Sequence, residues 1–212
     1  TYHFAVYEYN GTSGVENYFA TAGTANTTLP GPIMYTTIGA TYTQDFNSLP
    51  LAGTYSYSGQ GSGPFFTSVA PINAASSVGW QHARIAGSTV DAKFSFDNGT
   101  ANSGSTFSYG TAAAADRALG VLASGSNINR IGAVIRNNTG STLSYINITY
   151  VGEQWRYGAG VANTLTFGYQ VGGTDISTGS FTAVSGLDFT SPVTSGGSGI
   201  RDGNLSINRT NK

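Results

Sequence analysis

Apolar and polar positions alternate with the period of strands along many stretches of this chain. The clearest run is residues 130–171, where three strand signals follow one another with Asn, Gly and Ser turns between them. Ile146, Ile148 and Tyr150 fall on one face, and so do Leu165, Phe167, Tyr169 and Val171. The first reversal, Asn137-Asn138-Thr139-Gly140, offers residues that tolerate positive φ. Near the start, Tyr2–Tyr9 sets Phe4 and Val6 on one face and Tyr7 and Tyr9 on the other. That pattern predicts a strand covered on two sides.

Further strands are predicted at residues 41–46, 79–85, 90–96, 107–110, 181–184 and 187–189. Residues 12–39 are less regular, with Pro30-Gly31-Pro32 as a turn, and the Gly/Ser/Tyr-rich residues 52–63 read as an exposed loop. Residues 112–119 are too short for an independent helix and predict one helical turn or a bent strand, stopped by Gly120. The expectation is a single all-β domain over residues 1–212, a sandwich of two antiparallel sheets. Its interior is expected to hold Phe94, Phe96, Ile146, Ile148, Leu165, Phe167 and Tyr169.

Charge narrows the partners. Charged residues make up 9% of the 212 residues, against roughly 25% in ordinary soluble proteins. Ser, Thr, Asn and Gly must then cover the surface, and few charges oppose packing against other surfaces. A net charge of −1 and a pI near 6.0 speak against a nucleic-acid partner. No apolar run reaches the roughly 20 residues of a membrane span. The chain has no cysteine, so disulfides and thiolate sites are excluded. It begins at Thr1 rather than Met, which leads us to expect a mature secreted or cell-surface chain after signal-peptide removal.

Several short motifs occur in a fixed order. They include residues 44–50 (QDFNSLP), Gly79-Trp80, residues 116–120 (DRALG), Asn137-Asn138-Thr139-Gly140 and residues 152–156 (GEQWR). Residues 164–167 (TLTF), 169–172 (YQVG) and 187–192 (LDFTSP) follow, then Asp202-Gly203-Asn204 and Asn208-Arg209. Across residues 42–209 the set resembles an uncharacterised domain of bacterial secreted and surface proteins, found beside PEP-CTERM-type anchors and lamin-tail-like domains. The resemblance implies a jelly-roll-like two-sheet β-sandwich outside the cytoplasm, and no particular chemistry. Members of that family usually continue past the Asn-Arg motif with further strands, and here residues 1–41 precede the first motif. A sandwich short of late strands and long by an early one suggests that Tyr2, Phe4, Val6, Tyr7 and Tyr9, within residues 1–10, form a donor strand. Filling a neighbour's groove, that strand would build a homopolymer, an extracellular fibre or surface layer.

Catalysis is not expected. Only His3 and His82 could serve a Ser-His-acid arrangement, and no nucleophile elbow is present. Glu153, beside Trp155 and Arg156, is the best single carboxylate. Pairing with Arg156 or Arg84 to fix a corner is its more economical role, as it is for Asp116 beside Arg117. No cofactor motif occurs and no metal is expected; a structural calcium stays open at Asp45, Asp97, Asn98, Asp202 and Asn204, all in or near turns. Polysaccharide binding is the alternative function, with Trp80, Trp155, Tyr157, Tyr55 and Tyr57 as stacking rings and core packing as the competing role of both tryptophans. Asn-x-Ser/Thr sequons at Asn10, Asn26, Asn98, Asn137, Asn147, Asn204 and Asn208 would be modified only in a glycosylating source.

Overall fold

The computed structural model describes residues 2–9, 31–52, 54–57, 62–64, 79–88, 92–158 and 160–212, with the backbone alone for 2–9, 54–57, 62–64 and 92–93. The strands among them are β1 (Tyr2–Tyr9), β2 (Ile33–Tyr35), β3 (Thr54–Tyr57), β4 (Ser62–Pro64), β5 (Trp80–Ala86), β6 (Ala92–Asp97), β7 (Ser105–Tyr109) and β8 (Ala118–Leu122). They continue as β9 (Ile128–Asn137), β10 (Val151–Glu153), β11 (Arg156–Tyr157), β12 (Thr164–Val171), β13 (Thr182–Ala183), β14 (Phe189–Thr190), β15 (Gly199–Ile200) and β16 (Arg209–Asn211). Two 3-10 turns, Ser185–Leu187 and Ser206–Asn208, are the helical pieces of the described residues. The class is all-β.

The larger sheet runs β13-β12-β1-β9-β5-β4, with β14 also on β12 and β2 also on β9. The ten-residue β9 is its axis. One edge of β9 takes β5 antiparallel and β2 parallel, and the other takes β1 parallel. A second sheet, β3-β6-β7-β8, lies against it. Two small pairs, β10-β16 and β11-β15, close the structure.

Four pairings are parallel: β1-β9, β1-β12, β2-β9 and β6-β7. The two purely antiparallel sheets expected from the pattern are therefore corrected to mixed ones. Alternation fixes which face a residue takes, but it is blind to the direction of the neighbour.

The core lies between the sheets. Trp80, Ile131, Ala133 and Ile33 from the larger sheet meet Phe94 of the smaller one, with Leu119 and Val121 packed beside them. Phe94 and Phe167 are buried as expected, while Phe96, Ile148 and Leu165 are half-buried. Ile146 and Tyr169 are exposed instead, at 43% and 41%. Tyr169 lies toward the end of β12, beyond the reach of the facing sheet's core cluster. Ile146 belongs to residues 142–149, which form no strand. The reason is competition: β9, the neighbour in sequence, already has both edges paired. Residues 41–46 are not a strand either. Phe46 takes φ 60°, a left-handed kink that seats its ring edge-on to Trp80 at 4.7 Å. Within residues 52–63, read as loop, lie strand β3 and the first two residues of β4, and residues 112–119 resolve into a turn leading to β8. Val90 and the sequons at Asn10 and Asn26 lie outside the described residues.

Candidate functional site: the slot of the first strand and the corners around it

β1 occupies a slot between β9 and β12 and runs parallel to both, with seven residue pairs on each side. Phe4 stands in register between Ile131 and Phe167, each 2% exposed. One step on, Ala5 stands in register between Gly132 and Gly168. The side chains of Tyr2, Phe4, Val6, Tyr7 and Tyr9, like that of His3, are outside the described residues. Their backbone is paired along both edges, by β9 and β12.

A strap crosses one face of this sheet. Residues 172–181 leave β12, reach β5 and return to pair as β13 on the far edge of β12. The Ile176 N–H donates to Gln81 Oε1 on β5 at 3.1 Å, and Arg130 Nη1 on β9 donates to the Ile176 carbonyl at 2.7 Å. Arg130 also sits 3.9 Å over the Phe181 ring. Ile176 is fully buried against Ala83 and Val134. Since β1 and β9 lie between β12 and β5, the strap spans β1's outer side. Asp175 Oδ1 shapes its turn by accepting from the Ser177 N–H and hydroxyl. Sequence reasoning missed these residues. The available signal was Gly172-Gly173, Gly179 and the Asp175-x-Ser177 turn, with Ile176 the lone aliphatic residue among them.

The short motifs prove to be corners that tie remote segments. Glu153 forms an ion pair with Arg209 at 2.9 Å and accepts from Trp155 Nε1 at 3.0 Å. The expected partners, Arg156 and Arg84, are thus replaced by Arg209, because β10 and β16 pair at that point. Burial pushes the Glu153 carboxyl above its ordinary pKa, and Arg209 and Trp155 pull it back in part. Gln154 uses its amide like a strand backbone, accepting from Val193 N–H at 2.8 Å and donating to the Val193 carbonyl at 2.9 Å. Arg156 Nη1 donates to the carbonyls of Gly99 and Thr100. Arg117 is buried, donating from Nε and Nη2 to the hydroxyl and carbonyl of Ser108, with its guanidinium 4.6 Å over Phe96. Its backbone N–H reaches Asn47 Oδ1, joining residues 44–50 to residues 116–120. Asp116 is exposed beside it. Asp188 Oδ1 accepts from the Phe167 N–H at 2.7 Å, joining residues 187–192 to β12.

The rings expected to stack on sugars are mostly engaged elsewhere. Trp80, Trp155 and Tyr157 are 7%, 5% and 5% exposed. Trp155 stacks on Tyr109 at 6.0 Å, and the Tyr157 hydroxyl donates to the Thr194 carbonyl. Their area is worth more in the interior than at the surface. Tyr55 and Tyr57 are on β3, with side chains outside the described residues. The calcium candidates sit apart. Asp45 and Asp202 each accept from a backbone N–H two residues on, at Asn47 and Asn204. Asp97 caps the turn through Gly99, Thr100 and Ala101, and Asn204 accepts from Arg209. Among the described residues no three acidic or histidine side chains converge. None of their helices is long and apolar enough to cross a membrane.

Between the sheets, beside β8, opens a cleft of about 1150 Å³. Its lining is largely apolar or amide-bearing, and its charged residues are Glu153 and Arg156, both engaged as described. No family model, curated protein or solved structure matches this chain.

Proposed function

We propose that this chain is a non-enzymatic structural subunit of an extracellular fibre or surface layer, assembled by exchange of β1 between copies. The observation that carries the reading is the place of β1 in the middle of the larger sheet, parallel to β9 and β12. Withdrawal of such a strand leaves two rows of unpaired N–H and C=O groups, so the slot must be refilled. Residues 10–32 connect β1 to β2, a length of chain that spans roughly 75 Å when extended. That reach suffices for the slot of a neighbour.

Filled by its own β1, the subunit is closed. Filled by a neighbour's, the contact is heterologous and propagates head to tail. The 9% charge content lowers repulsion between subunits so aligned. The facing sheets are compatible with a jelly-roll-like sandwich completed by β1, and the resemblance to bacterial surface domains supports an extracytoplasmic setting.

The test is negative-stain electron microscopy of the full chain beside a variant lacking residues 1–10. Regular filaments from the full chain, absent from the deletion, are the expected result. Monodisperse monomers of a folded full chain at high concentration would overturn the proposal.

A further inference from the structure

The geometry points to a second site: the cleft between the sheets binds a neutral polysaccharide, with Tyr42 and Tyr145 as its stacking rings. The slot of β1 plays no part in this inference. Tyr145 is 78% exposed and Tyr42 44% exposed at the cleft wall. Tyr42 is held in place, since its hydroxyl accepts from Trp80 Nε1 at 3.0 Å and from Gln44 Nε2 at 3.4 Å. A ring so fixed loses little freedom when a ligand stacks on it. Tyr145 projects from residues 142–149, which run along the cleft without strand partners.

The remaining lining decides the class of ligand. Asn102 and Asn147 contribute exposed amides that both donate and accept, which is what a sugar hydroxyl requires. Glu153 is occupied by Arg209 and Trp155, and Arg156 by two carbonyls, which leaves neither charge for an acidic polymer or a phosphate. A lipid chain would bury those amides without partners, which is unfavourable. Pyranose C–H faces on tyrosine rings, with hydroxyls on amides, satisfy both halves of the lining. At about 1150 Å³ the cleft is larger than a monosaccharide needs, so the ligand is polymeric.

The experiment is affinity electrophoresis of the full chain through gels containing mixed-linkage β-glucan, galactomannan or dextran, with carboxymethyl-dextran as the charged control. At least one neutral polymer is expected to retard the protein. Tyr145→Ala should weaken that retardation roughly five- to tenfold with an unchanged thermal midpoint, because the ring is exposed. Tyr42→Phe, which keeps the ring but removes the hydroxyl that holds it, should weaken retardation by less than Tyr145→Ala does. No retardation by any neutral polymer, equal retardation of Tyr145→Ala, or stronger retardation by the charged control would each overturn the assignment. Filament formation is read separately, so failure of either proposal leaves the other standing.

Discussion

Burial of His82 on the inner face of β5, against the Phe94 ring, strips the water that would stabilise its protonated form. Its pKa falls from 6.5 to about 3. The unfolded chain binds a proton at this residue below about pH 6.5, whereas the folded chain does not, so stability falls as pH falls through that window. Between pH 7 and pH 5 the loss should be about 2 kcal/mol. Urea unfolding at both pH values checks it, with His82→Leu expected to show a shallower dependence. Glu153, whose carboxyl is pushed up by burial, acts in the opposite sense, and subtracting variant from parent removes it. Glycines give a second test at this scale. A Cβ at Gly203 would overlap the Trp155 indole, while one at Gly158 meets nothing within 4 Å. Gly203→Ala should therefore cost about 1–3 kcal/mol and shift the tryptophan fluorescence, and Gly158→Ala should do neither.

The elements differ in how far their sequences foretell them. β1, β5 and β9 were legible, since their apolar runs suit strands with neighbours on both sides. Residues 144–150 carry equally good alternation and yet form no strand, because alternation reports a face and never a free edge to pair with. Phe46 ends a convincing strand pattern in a left-handed kink, for the sake of its contact with Trp80. The corner motifs were legible as corners, but not their partners: Glu153 reaches Arg209, which local charge pairing could not suggest. The strap was the least legible, being short, glycine-rich and polar apart from Ile176 and the closing Phe181. Its one large aliphatic residue should nonetheless carry much of its hold. Ile176→Ala is expected to cost about 2–5 kcal/mol in urea unfolding, and to speed hydrogen exchange of the β1 amides beneath it. Unchanged exchange in β1 would mean that the strap does not secure the slot.

For the whole molecule, β1 is paired with strands more than a hundred positions away in the chain. Such contacts close large loops before they return any energy, so the slot is expected to fill late in folding. The same placement has a mechanical side. A pull along β1 loads the ladders to β9 and β12 in shear, and all their hydrogen bonds must yield together. A pull across the sheet would open one ladder from its end, bond by bond. The first geometry resists far more force, although the bonds are the same. Single-molecule stretching between Tyr9 and Val171, whose separation peels the strands, should therefore rupture at lower force than stretching between Tyr2 and Val171, which slides β1 along its neighbours. A fibre joined by this strand would bear its load along the direction in which the joint is hardest to break.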